Sequence, residues 1–251
     1  MTAAHSGANK FFGVILAVLA IALPARAADP LVADLSSREI AITTGFTGSE
    51  LLLFGAVDGA GDVVVVVRGP PRQEVVRRKQ RIAGVWVNAD SVSFREVPSF
   101  YHVASTRPLA EIATPRALTG LELGADRLKF QRVGSARPGD GAFRKALLRN
   151  KRRDRLYSNG GGKIKMRGRR LFRTTVVFPT IVPTGTYSVD VLLFRGGRVV
   201  DTETTPLTVR KVGLEANIYD FAHQQSALYG IIAILIALMA GWLAGAVFRK
   251  S

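Results

Sequence analysis

The sequence predicts a mainly β exported domain of sandwich type, with a helical insertion and one C-terminal transmembrane helix. Three observations carry this. Short β-branched or alternating runs recur with Gly/Pro turns between them, as in sandwiches and barrels. A stretch over about residues 107–157 is broken by prolines and glycines into helical pieces. Leu228–Phe248 (LYGIIAILIALMAGWLAGAVF) holds no charge over 21 positions, roughly 31 Å of helix against a bilayer core of about 30 Å.

From the start, residues 1–27 read as a signal peptide. Lys10 gives a positive n-region, Phe11–Leu23 is an apolar run too short to span, and Ala25-Arg26-Ala27 fits an A-x-A cleavage site. An uncleaved first anchor is the rival reading. The exported domain then covers 28–213. Glu39–Thr44 alternates apolar and polar residues, and Glu50–Val57 is mostly apolar. The turn cluster Asp58–Gly61 precedes five valines, Val63–Val67, a run that predicts a strand buried on both faces. Gly69-Pro70-Pro71 stops it, and strands follow at Gln73–Arg78, Gly84–Asn88 and Ser91–Phe94.

The middle turns helical. Arg107–Thr114 and Pro115–Gly124 predict short turns, and Asp140–Tyr157 a longer helix, with Asp140 as its cap and Asn159–Gly162 as its stop. Strands return at Leu171–Phe178 and Gly185–Phe194. The latter joins Val199–Val209 through Arg195-Gly196-Gly197-Arg198, a strong hairpin signal. Pro206 marks that last strand as an edge or a bulge. Pro183–Val189 (PTGTYSV) resembles the start of a late strand in immunoglobulin-like sandwiches. Leu214, Ile218, Phe221 and Ala222 fall at helical spacing, which predicts a juxtamembrane helix over 214–227, then the span 228–248 and a tail 249–251. Tyr229 and Trp242 are placed where rings could sit near the two membrane interfaces, Trp242 somewhat deep for that role.

Charge and composition bound the function. The chain carries 35 Lys/Arg against 19 Asp/Glu. Setting aside Lys10, Arg26, Arg249 and Lys250 leaves a mature-domain charge of +12, a field that favours anionic partners. The absence of cysteine rules out disulfide staples and leans towards a bacterial periplasm. Arg249-Lys250 keep the C-terminus cytoplasmic under the positive-inside rule. These features predict a single-pass protein of the bacterial inner membrane, its N-terminal domain in the periplasm. Export sets aside nucleic acid, the usual partner of so basic a chain.

Enzyme signals are poor. His102 and His223 lie far apart with no cysteine or paired carboxylates beside them, so no catalytic residue, metal or cofactor is expected. The region of Ser99, His102 and Ser105 lacks a nucleophile elbow. The glycines before Lys163 do not make a phosphate loop, because Ile164 stands where Ser or Thr belongs. The densest feature is Arg127–Arg173, with 17 Lys/Arg and two acids. Within it, Arg144, Lys145, Arg149, Arg152, Arg153 and Arg155 could meet anionic lipid or an acidic partner. The plainer reading is a solvated face that keeps the domain soluble. In the span, Ala233, Ala237, Gly241 and Gly245 recur every four residues, a stripe that lets another helix approach closely.

In combination, Phe46-Thr47-Gly48 with Leu53-Phe54-Gly55, Val64–Pro70, Lys79-Gln80-Arg81 with Gly84–Asn88, Pro98–Tyr101, and Tyr229-Gly230 with Gly241-Trp242 resemble the Alph_Pro_TM family of alphaproteobacterial transmembrane proteins. The resemblance implies a signal peptide, a periplasmic domain and one C-terminal span. It brings no activity or catalytic residues. Neighbourhood with sulfite-exporter-type permeases is an association only. The expected function is an accessory or interaction partner of another membrane protein, with transporters among the candidates. The alternative is a tethered periplasmic binding module for anionic ligands or envelope polymers.

Overall fold

The five valines organise the domain. In the computed structural model, which describes residues 30–135, 139–158, 161–213 and 225–248, Val63–Val67 are all fully buried. They form strand β4 (Asp62–Arg68), which pairs antiparallel with β12 (Gly185–Arg195) on one side and β7 (Tyr101–Ser105) on the other. β12 turns through Gly196-Gly197 into β13 (Arg198–Lys211), and β2 (Glu39–Ile42) runs parallel to the end of β13. With β9 (Gly162–Lys163) beside β7, the order of this six-stranded sheet is β2-β13-β12-β4-β7-β9.

A second sheet has the order β1-β3-β11-β10, from Leu31–Leu35, Ser49–Val57, Leu171–Phe178 and Lys165–Arg167. In β11 the burial alternates without a break, so Phe172, Thr174, Val176 and Phe178 point inward. These join Leu51, Leu53, Val65, Tyr187, Val189 and Val191 in one core shared by both sheets. Phe178 stacks on Phe100 at 4.8 Å and meets Tyr187 edge-on at 5.9 Å. The result is a sandwich of immunoglobulin type. It carries that fold's tyrosine corner, in which Tyr187 Oη donates to the Pro183 carbonyl at 2.5 Å.

The other face of β4 explains why the valine run has no polar alternate. There Arg68 pairs with Asp190 at 2.5 Å and donates to the Leu121 carbonyl of the helical insertion. The insertion contains α1 (Leu109–Ile112), α2 (Pro115–Gly120), a 3-10 turn (Ala125–Arg127), β8 (Gln131–Arg132) and α3 (Asp140–Arg153). Thr114 caps α2 by accepting from the Ala117 amide. Two details of α3 differ from expectation. Gly139, not Asp140, is its N-cap, because the Asp140 carboxylate lies 2.6 Å from Arg132 Nε. The helix also stops at Arg153, before the glycines: Arg155 takes a left-handed φ of 57°, and the Leu156 and Tyr157 amides close back on the Lys151 carbonyl.

The largest departure from expectation lies between β4 and β7. The three short strands read there form one long hairpin, β5 (Pro71–Ile82) and β6 (Val85–Pro98), turning through Ala83 and Gly84, both at positive φ. Its base packs on α3 in a second small core of Val76, Val92, Phe94, Val97, Phe143 and Leu147. β4 and β13 are both antiparallel to β12, and Ser188 faces Arg68 on one side and Pro206 on the other. Hence the hairpin leaves the sandwich at the same pole from which β13 runs towards the apolar helix. Pro206 lies before the part of β13 that β2 covers, so that edge needs no amide from it.

That helix, α4 (Ser226–Phe248), is long and apolar enough to cross a membrane, with a mean hydropathy of 2.1 over Ser226–Leu243. All elements named here belong to one unit, Leu31–Ser251. The expected signal peptide, most of the juxtamembrane segment and the basic tail lie outside the described residues.

Candidate functional site

The basic run does not form one equivalent face. Arg144 is half-buried, donates to the Asp126 and Leu128 carbonyls at 2.8 Å each, and lies over the Phe130 ring. It fastens α3 to the chain before it. Lys151, on the same helix, is buried with its Nζ 2.6 Å from Glu74 Oε1 of the hairpin. Arg152 donates to Asp126 and Arg153 to Asp154. Lys145, Arg149, Arg153 and Arg155 are exposed.

Four cations of the run border two recesses. Arg152, Arg153 and Arg155 line a groove of about 700 Å³ with Gly48, Tyr157, Ser158 and Thr180. Arg149 belongs to a recess of about 350 Å³ between α3 and the hairpin, with Arg77, Arg78 and Lys79 on its far side. There the Arg78 guanidinium lies 4.8 Å from the Phe143 ring centre, a cation–π contact that ties the hairpin to the helix.

The hairpin is the feature that sequence reasoning missed. From Arg77 to Ser91 every residue is exposed, and Ile82, Val85 and Trp86 are among the most exposed large apolar side chains of the domain. Ile82 faces Val85 and Arg81 faces Trp86 across the strands. The available signal was Ala83-Gly84 between two β-rich runs, a two-residue turn. A second apolar patch, Val32, Phe54 and Leu171, lies on the outer side of the four-stranded sheet.

His102 and Ser105 lie on β7 and form no triad. His102 Nε2 is buried against Gly162, and burial lowers its pKa below the usual 6.5 by disfavouring the imidazolium. Among the described residues no three of His, Cys, Asp and Glu come together as a metal site.

In α4, Ala233, Ala237, Gly241 and Gly245 are all exposed, and a side chain added at Gly241 or Gly245 would meet nothing. The four positions share one face of the helix. None of the 18-residue window Ser226–Leu243 is covered by the rest of the chain.

No curated protein matches the chain. The model of the family described as "Putative transmembrane protein (Alph_Pro_TM)" matches residues 30–250, which takes in both the sandwich and the apolar helix. The chain belongs to that family.

Proposed function

We propose that this protein works by association rather than catalysis, as a single-pass accessory or interaction partner of another membrane protein, with transporters among the candidates. The sandwich would lie in the periplasm and α4 in the inner membrane. The observation that supports this best is the uncovered face Ala233–Ala237–Gly241–Gly245 on the span. In lipid, helix association depends on close packing, and small residues let two backbones approach. Replacing Gly241 and Gly245 with Leu should abolish co-purification of a partner from gentle detergent. An unchanged partner set would refute the stripe as the contact.

A second reading, a tethered binder of anionic ligands or envelope polymers, draws support from the groove lined by Arg152, Arg153 and Arg155. Exchanging α4 for an unrelated leucine-rich span separates the two readings. An accessory that packs through its span should fail, and a tethered binder should still function.

A further inference from the structure

We propose that the tip of the β5–β6 hairpin is a membrane-interface foot, seated among the anionic head groups of the bilayer that α4 crosses.

Ile82, Val85 and Trp86 are 55%, 64% and 65% exposed at the end of the hairpin, beyond the Arg78–Phe143 contact that ties its base to α3. An indole beside aliphatic side chains, ringed by cations, is the composition that settles at the boundary of head groups and acyl chains. The cations stand on one strand: Arg77, Arg78, Lys79 and Arg81 of β5 precede the turn, and Asp90, beside Arg78, is the one acid from Arg77 to Ser91. Arg149 and Lys145 of α3 extend the positive surface back from the recess at the hairpin base.

β4 feeds the hairpin and β13 feeds the chain leading to α4, and both strands end at the same pole of the sandwich. Residues 212–225 join β13 to α4 and, even fully extended, reach roughly 50 Å. The exposed outer half of the hairpin adds roughly 20 Å beyond its base at that pole. A linker well short of its full extension therefore brings the bilayer within range of the hairpin tip.

Ala83 and Gly84 take φ of 49° and 87°, and Arg81 Nε donates to the Gly84 carbonyl at 3.1 Å. A closed two-residue turn presents the apolar residues without first being ordered, which lowers the entropy lost on insertion.

The test uses the full chain in lipid nanodiscs. The sequence has two tryptophans, so Trp242→Phe leaves Trp86 as the sole reporter. In discs of phosphatidylcholine with phosphatidylglycerol, brominated acyl chains should lower Trp86 emission about twofold, as expected for an indole at the acyl boundary. The effect should weaken in phosphatidylcholine alone and in the variant Arg77→Gln, Lys79→Gln, Arg81→Gln. Emission identical with and without bromine in both lipids would overturn the proposal and leave the tip to a protein partner. Equal quenching in the triple variant would overturn the role of the cations. Recovery of the chain in discs reports the span separately, so failure of the foot and failure of the anchor are distinguishable.

Discussion

The buried Lys151 of α3 and the half-buried Glu74 of β5 form an ion pair, Nζ to Oε1 at 2.6 Å, that joins the helical insertion to the root of the hairpin. Lys151 is only 7% exposed, so its ammonium depends on this partner. Glu74→Gln should destabilise the domain by about 2–3 kcal/mol, because a buried charge is left unpaired. Lys151→Met added to Glu74→Gln should recover most of that loss. Thermal unfolding of the detergent-purified chain measures both; an additive double variant would show that the two side chains do not act as a pair.

The tyrosine corner gives an alkaline signature. Burial pushes the Tyr187 phenol up to about 12, against an ordinary value of 10.0. The raised pKa favours the neutral form in the folded state, so its contribution is intact below pH 10. It is lost as the unfolded chain ionises first, between pH 10 and 12. Two units correspond to about 3 kcal/mol. Tyr187→Phe should make that part of the pH–stability curve shallower, the buried Tyr101 and Tyr157 phenols, also raised, keeping the remainder, and, by losing the bond to Pro183, cost about 1 kcal/mol at pH 7.

His102 sets the opposite limb. Its folded pKa lies below 6.5, so above that pH both states are neutral and nothing is lost. As pH falls below 6.5 the unfolded chain takes up the proton before the folded one, and stability declines until the folded pKa is passed. Melting temperature followed from pH 7.5 to 5 should show this decline, and His102→Asn should reduce it. An identical slope in the variant would remove His102 as the cause.

Gly55 is a position of contact rather than of turn geometry. A Cβ there would sit on the Val32 carbonyl oxygen and 2.5 Å from Phe172 Cζ. Gly55→Ala should force β1 from β3 or displace a core phenylalanine, with a loss of about 1–3 kcal/mol. A melting temperature equal to that of the parent chain would contradict this.

These residues show what the sequence discloses. Val63–Val67 and Leu171–Phe178 were legible because burial writes itself into periodicity, continuous where both faces are covered and alternating where one is. The outer hairpin was read in pieces because Arg77–Ser91 has no buried face to impose a period. β1 and β7 were missed: Leu31–Leu35 stands close behind the signal segment, and no turn pair marks Tyr101–Ser105. The cations of α3 looked alike as letters. Lys151 differs from Arg149 only through Glu74, 77 positions away, and that distance leaves no local trace. For the apolar helix, length and composition sufficed, since lipid asks of a single segment only length, apolarity and a helix.

The parallel pairing of β2 with β13 has a mechanical consequence. β13 is the strand that continues towards the span, and it is held by β12 along its length and by β2 at its final residues, Thr208–Lys211. Tension arriving from the bilayer along β13 loads both ladders in shear, so their hydrogen bonds resist together instead of opening one after another. The domain is thus gripped most firmly at the point where the membrane would pull on it.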